Sequence, residues 1–170
     1  MQSLTMAINR QYDYSLTMLR EMIETCPNEL WTERNGSFPF WQQLYHALYW
    51  TDYTIQESCD GEKIFSWKTE KNITHELDKE KINFPEYLTK EELLIYFQAF
   101  IEKKDRFFSK MNDSALLEVI PHRKDGYAYL DTITNQIRHI MYHVGHCDCI
   151  LRNNGYSAIA WVSIFGRVER

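Results

Sequence analysis

The chain has 170 residues, 44% of them hydrophobic and 15% aromatic, with only six glycines and four prolines. This composition fits a globular protein and favours long helices over a turn-rich β-sandwich. The formal net charge of −5 and the single short basic cluster argue against a nucleic-acid partner, which would require a basic face.

The length predicts one domain over residues 1–170, with a core large enough to fold without disulfides. No apolar run approaches the ~20 residues of a membrane span. The N-terminus, MQSLTMAINRQYDYSL, lacks the layout of a signal peptide, so we expect a cytoplasmic protein with no membrane partner. The four cysteines form no CxxC motif and are predicted to be free thiols.

The first two predicted helices lie in the N-terminal third of the chain. Apolar residues at helical spacing run from about Leu4 to Thr25, and Pro27 follows the end. The loop PNELWTERNGSF leads to the second helix, which is expected to be capped by Ser37 and to end near Ser58. Pro39 lies where a first helical turn tolerates proline.

The third helix follows a polar segment, residues 59–88, that shows no sustained period and is predicted to be a long crossover connection. Thr89 and Glu92 form a capping-box motif, so the helix is expected to start there and to end near Met111. A second long connection, NDSALLEVIPHRKDGYAYL, comes after it.

The fourth helix is expected to start at a cap formed by Asp131 or Thr132 and to end near Asn154, with Gly155 as a left-handed stop. The apolar tail YSAIAWVSIFGRVER is predicted to dock on another surface. Four long helices with two long connections predict an all-α fold, a four-helix bundle with crossover connections.

Three of the six histidines lie on the fourth predicted helix. His139, His143 and His146 are spaced i, i+4 and i+7, which places them near one helical face. Two imidazoles in an HxxxH motif, ~6 Å apart along the axis, can converge on one metal ion. Half-buried side chains at the edge of an apolar face are the alternative. The HExxH motif of metalloproteases is absent.

A third metal ligand would come from another helix. His46, midway along the second helix, is the candidate, although a packed and hydrogen-bonded histidine fits its position equally well. His146 is assigned to packing or to a supporting role, because it lies ~10 Å along the axis from His139. Cys147 is a reserve ligand, but a small buried residue is the better interpretation. Asp52 is expected to be solvated or to support the site.

The remaining candidates are less specific. His75 and His122 lie in the two connections and are expected to be exposed. Tyr49, Trp50 and Tyr53 surround the face that carries His46, and they either line a substrate pocket or belong to the core.

The chain resembles the DinB-like (DinB/YfiT) superfamily of bacterial proteins. The resemblance rests on FPFWQQLYHALYWTDY in the second helix and RHIMYHVGHCDCILRNNG in the fourth. The latter matches the family pattern of two histidines followed by a glycine, a Leu-Arg pair and a final glycine. It departs at Val144 and His146, where Arg and Gln are common.

The resemblance implies a four-helix bundle, often a homodimer, with a divalent ion held by one second-helix and two fourth-helix histidines. Those positions match His46, His139 and His143, and zinc, nickel or iron would suit three imidazoles. The family includes transferases and isomerases that use low-molecular-weight thiols, so a thiol cofactor and a small-molecule substrate are implied.

Three functions therefore stay open. The first is a metal-dependent thiol S-transferase, in which the ion lowers the pKa of a thiol that then attacks an electrophile. The second is a non-catalytic, metal-stabilised dimeric bundle. The third is a stress protein that binds a small molecule or a metal without turnover. No catalytic residue beyond the metal ligands is identified by the sequence.

Overall fold

The computed structural model describes residues 3–34, 38–55, 65–78, 86–121 and 125–168. Within these ranges the chain is mainly helical, with one short β-hairpin near its end. The helices are α1 (Leu4–Thr25), α2 (Asn28–Trp31), α3 (Phe40–Thr54), α4 (Lys90–Lys110), α5 (Asp113–Leu116) and α6 (Tyr129–Asn153). The hairpin pairs β1 (Trp161–Ser163) with β2 (Gly166–Val168) in antiparallel register.

The four long helices form a bundle with a crossover arrangement. α6 packs along α1 and α3, and α4 packs against the same two helices. Among the described residues, α4 and α6 make no close backbone approach, although they are consecutive long helices. They therefore lie diagonally across the bundle, which a simple up-and-down connection does not produce. The predicted all-α bundle with long crossovers is confirmed.

Hydrogen bonds explain why α4 begins and α6 ends where the sequence predicts. In α4 the Thr89 hydroxyl accepts from the Glu92 N–H at 3.2 Å, and the Glu92 carboxylate accepts from the Thr89 N–H at 2.8 Å. This is the predicted capping box. At the end of α6, Gly155 has φ +81°, and the Tyr156 N–H donates to the Leu151 carbonyl at 3.0 Å.

Other helix ends differ from the prediction. α6 starts at Tyr129, and Asp131 caps it from inside the first turn by accepting from the Ala128 N–H at 2.9 Å. α3 has Pro39 as its N-cap and Thr54 as its last residue. The predicted cap Ser37 and end Ser58 lie outside the described residues. The loop between α1 and α3 contains the short helix α2, and the second long connection contains α5; both are too brief to show a hydrophobic period.

The core lies between the long helices. Tyr12 of α1 is fully buried and makes edge-to-face contacts with Phe100 and Phe108 of α4, with ring centroids 6.3 Å apart in each pair. The C-terminal tail docks on α1 through β1, and Arg167 forms an ion pair with Glu21. No helix in the described ranges is long and apolar enough to cross a membrane.

Candidate metal centre

The packing of α3 against α6 brings three histidines together. His46 comes from α3, whereas His139 and His143 lie one turn apart on α6. One ring nitrogen of each lies within 4.8 Å of those of the other two. The ring centroids are separated by 5.1 Å for His46–His139, 4.9 Å for His46–His143 and 4.8 Å for His139–His143.

The position of each histidine on its helix explains its burial. His143 precedes Val144 and follows Ile140 by three residues, and both of these apolar side chains are buried in the core. His143 is therefore carried inward and is only 3% exposed. His139 lies nearer the edge of the buried face of α6, and His46 lies nearer the edge of the buried face of α3. Both are half-buried.

Hydrogen bonds fix one of the three tautomers. The Nδ1–H of His46 donates to the backbone carbonyl of His75 at 2.6 Å, which leaves Nε2 with its lone pair. The Nε2 atoms of His139 and His143 are 3.2 Å apart. The Nδ1 atoms of these two residues are buried, and neither has a hydrogen-bond partner among the described residues.

All three imidazoles are held in the neutral form. Burial lowers the pKa of His46, although the hydrogen bond to His75 opposes this effect. Burial, and then the nearby His46, lower the pKa of His139 to about 4. Burial, and then the neighbouring histidines, lower the pKa of His143 to about 3. Neutral imidazole is the form that binds metal, so no proton has to be displaced at neutral pH.

The cluster opens into a cavity of about 390 Å³. Its wall combines the three imidazoles with aromatic, apolar and acidic side chains from α3, α6 and the crossover connection. The lining residues are His46, Trp50, Glu76, Leu77, Asp78, His139, Tyr142 and His143. A small molecule that enters this cavity therefore reaches the histidine cluster directly.

Two neighbours on α6 do not join the cluster. His146 is half-buried and is not among the described groups that could share an ion with the other histidines. Cys147 is fully buried, and its burial, followed by the nearby Cys26, raises the pKa of its thiol well above the usual range. Cys147 packs in the core, which confirms its interpretation as a small buried residue and not as a reserve ligand.

The aromatic residues of α3 divide between the cavity and the crossover connection. Trp50 lines the cavity. Tyr49 instead stacks on His75, with ring centroids 3.6 Å apart and planes at 11°, and also stacks on Phe65. The prediction of an exposed His75 is wrong, since its ring is half-buried on Tyr49. His122 lies outside the described residues.

Asp52 is neither solvated nor a neighbour of the histidines. Its side chain is fully buried, and one carboxylate oxygen lies 2.7 Å from the ammonium group of Lys103. The other oxygen accepts from the Ser66 N–H and hydroxyl, both at 2.8 Å, and from the Tyr96 hydroxyl at 3.0 Å. A signal was present in the sequence, because Asp52 continues the i, i+4 stripe of Leu44 and Leu48.

No sequence pattern indicated the cavity residues Glu76, Leu77 and Asp78. They belong to a segment without regular structure, so no periodic pattern places them on a face. Only the path of the crossover connection over α3 brings them to the histidines.

The donor set fits a divalent ion. Three neutral imidazoles of borderline softness suit zinc, nickel or iron. Protonating these histidines would place positive charges beside one another, so repulsion disfavours the protonated cluster. The facing Nε2 atoms of His139 and His143 would both become ligands of the ion. Bonds to the ion would then replace the contact between the two nitrogens. No fourth histidine, cysteine or carboxylate of the described chain joins the group.

Comparison with known families identifies the class of protein. The family model described as the DinB superfamily matches residues 11–146, well over half of the chain. The chain therefore belongs to the DinB superfamily. Comparison with curated proteins and with solved structures gave no significant match.

Proposed function

We propose that this protein is a divalent-metal-dependent enzyme that transfers a low-molecular-weight thiol to an electrophile. The observation that carries the proposal is the convergence of three neutral imidazoles on the wall of a 390 Å³ cavity. A structural metal would instead be closed by a fourth protein ligand and shielded from solvent. The cavity therefore favours an enzyme over a metal-stabilised bundle or a binding protein without turnover.

His46, His139 and His143 would hold the ion. A bound divalent ion would supply Lewis acidity, which lowers the pKa of a thiol in its open position. The chain's own part is to present three uncharged donors at the wall of an accessible cavity. Trp50 and Leu77 offer the cavity's apolar surface, against which a hydrophobic electrophile can pack.

Metal analysis tests the first half of the proposal. The purified chain should bind one divalent ion per protomer, and replacing any one of His46, His139 or His143 by Ala should remove most of it. His146→Ala is the matched control, because it deletes an imidazole from the same helix outside the cluster. An equal loss of metal in all four variants would show that the ligand set is wrong.

Cobalt substitution tests the second half. Adding a low-molecular-weight thiol to the cobalt-loaded chain should produce a sulfur-to-metal charge-transfer band, and His143→Ala should abolish it while circular dichroism stays unchanged. Thiol consumption should rise with pH and then level off as the thiol ionises. A cobalt spectrum that no thiol changes would refute thiol transfer and favour a hydrolytic or structural ion.

We also propose that the protein forms a homodimer. Support comes from the apolar hairpin, in which Phe165 is 91% exposed and Ile164 and Trp161 are also exposed. Light scattering on the full chain, compared with a chain cut after Gly155, tests this proposal. A monomeric full-length chain would refute it.

A further inference from the structure

The crossover connection is tied down over α3 and α4 at several points. We call residues 65–78 of this connection the strap. Ser66 is bonded to the buried Asp52 carboxylate, as described above. Further along, the Lys71 ammonium donates to the Tyr87 carbonyl at 2.9 Å and pairs with Glu92. The strap has no helix or strand of its own, so these side-chain bonds, together with the packing of Trp67 and Ile73 against the core, hold its path.

The anchor closest to the histidines is Gln42. This α3 residue is only 2% exposed, and its Nε2 donates to the Glu76 carbonyl at 3.0 Å and, more weakly, to the Thr74 carbonyl at 3.5 Å. The two accepting peptide groups flank His75. A buried side-chain donor in this place fixes the backbone on both sides of that residue.

The backbone carbonyl held between these two bonds is the one that accepts from His46. Its oxygen lies 2.6 Å from His46 Nδ1. The His75 ring is held from the other side by the stack on Tyr49, three residues after His46 on the same helix. One turn of α3 thus supplies the candidate ligand, and the adjacent turns hold the group that orients it.

The other two histidines have no such support. The Nδ1 atoms of His139 and His143 have no partner among the described residues, so only His46 has its tautomer fixed by a hydrogen bond. Partners of this kind orient a ligating imidazole and raise its basicity, and their loss typically weakens metal binding by about 10–100-fold.

We propose that Gln42 is a positioning residue for the metal centre, acting through the strap to fix the tautomer and orientation of His46. The inference rests on the proposed function, because it takes His46 as a ligand. It adds a residue that contacts no metal and that the cavity does not expose. The strap is, on this view, a part of the metal centre and not only a connection.

The test compares two adjacent glutamines of α3. Gln42→Met removes the donor to the strap, whereas Gln43→Met changes an equally buried glutamine whose carboxamide has no partner among the described residues. Zinc affinity of the full chain, measured by chelator competition, should fall about tenfold or more in Gln42→Met. It should stay within about twofold of wild type in Gln43→Met, as expected for a change away from the strap.

A second readout needs no metal. In the chelator-treated wild-type chain, nitrogen NMR should show His46 protonated at Nδ1, and Gln42→Met should produce a mixture of tautomers. If Gln42→Met does not fold, the pair His75→Gly and His75→Phe replaces it. Both variants keep the backbone carbonyl of residue 75. The glycine frees the backbone and removes the stack on Tyr49, whereas the phenylalanine keeps the stack, so only the glycine variant should lose zinc affinity and tautomer order.

Equal zinc affinity in Gln42→Met and Gln43→Met, or an unchanged His46 tautomer in Gln42→Met, would overturn the proposal. If the wild-type chain binds none of zinc, nickel and iron but Gln42→Met still changes the His46 tautomer, the proposed function is refuted and the orienting role of Gln42 stands. The two failures are therefore distinguishable.

Discussion

Two buried polar clusters start from α3, six residues apart, and they differ in how fully their atoms are paired. In the cluster around Asp52, both carboxylate oxygens have partners, and the Lys103 ammonium also donates to the Asp52 carbonyl at 3.1 Å. In the cluster around His46, two of the three imidazoles have a buried Nδ1 with no partner among the described residues. The polar side-chain atoms of Asp52 all have hydrogen-bond or ion-pair partners, whereas two ring nitrogens of the histidine cluster have none among the described residues.

This difference separates a polar cluster that the protein satisfies with its own groups from one that it leaves incomplete. Buried polar atoms in folded proteins are nearly always paired, so an unpaired group needs an explanation of its own. The Asp52 cluster closes the junction between α3, α4 and the strap. The histidine cluster keeps the Nε2 atoms of His139 and His143 3.2 Å apart, and it lines a cavity.

The largest effect is expected from breaking the complete cluster. Asp52→Ala leaves the Lys103 ammonium buried without its counterion and releases Ser66, so it should lower the free energy of unfolding by about 3–5 kcal/mol. Urea denaturation followed by circular dichroism measures this loss.

The double variant Asp52→Leu with Lys103→Met is the control. It removes both charges and leaves an apolar pair, so its loss should be clearly smaller than the sum of the losses of Asp52→Leu and Lys103→Met measured singly. Additive losses would mean that the two side chains do not interact in the folded chain.

The next largest effect is the loss of stability at low pH that the histidine cluster causes. An unfolded histidine has a pKa near 6.5, whereas the folded pKa is about 4 for His139 and about 3 for His143. Above pH 6.5 both states are neutral. As the pH falls below that value, the unfolded chain binds protons that the folded chain excludes, so stability falls until the folded pKa is reached.

Between pH 6.5 and 4.5 the loss should be at most about 3 kcal/mol per histidine. Urea midpoints of the chelator-treated chain across this range measure it. Replacing both His139 and His143 by Gln should flatten the dependence in this window. If the urea midpoint of that variant depends on pH as steeply as that of the wild type, the titrating groups lie elsewhere.

The smallest effect is expected at a single unpaired glutamine. Gln43 is 1% exposed, and neither atom of its carboxamide has a partner among the described residues. Gln43→Met should therefore raise the free energy of unfolding by about 1 kcal/mol, since it replaces an unpaired polar group with an apolar one of similar shape. Thermal unfolding checks the sign, and a lower melting temperature would reveal a hydrogen bond that the glutamine makes.

Local signals in the sequence predicted the helices well wherever the hydrogen-bonding groups are near neighbours. The bounds of α1, the capping box at Thr89 and the left-handed stop at Gly155 all follow from residues within one turn. The start of α6 was misplaced because Asp131 caps from inside the first turn, a role that its position alone does not reveal.

The candidate site was predicted in part, again because some of its residues are near neighbours in the sequence. His139 and His143 are a local pair, and helical spacing brings them together. Asp52 was misjudged because its partner Lys103 is 51 residues away, and charged residues are rarely fully buried unless paired. The family resemblance, and not spacing, indicated that His46 would join the fourth-helix histidines.

What the sequence determined by itself is the set of helices and the HxxxH pair, because helical period and capping act over three or four residues. Tertiary structure alone decided the rest. It brought His46 to α6, buried Asp52 against Lys103, and laid the strap across α3 so that Gln42 and His75 meet His46. These contacts join residues that are 29 or more positions apart, and the free energy of packing, not local propensity, selects them.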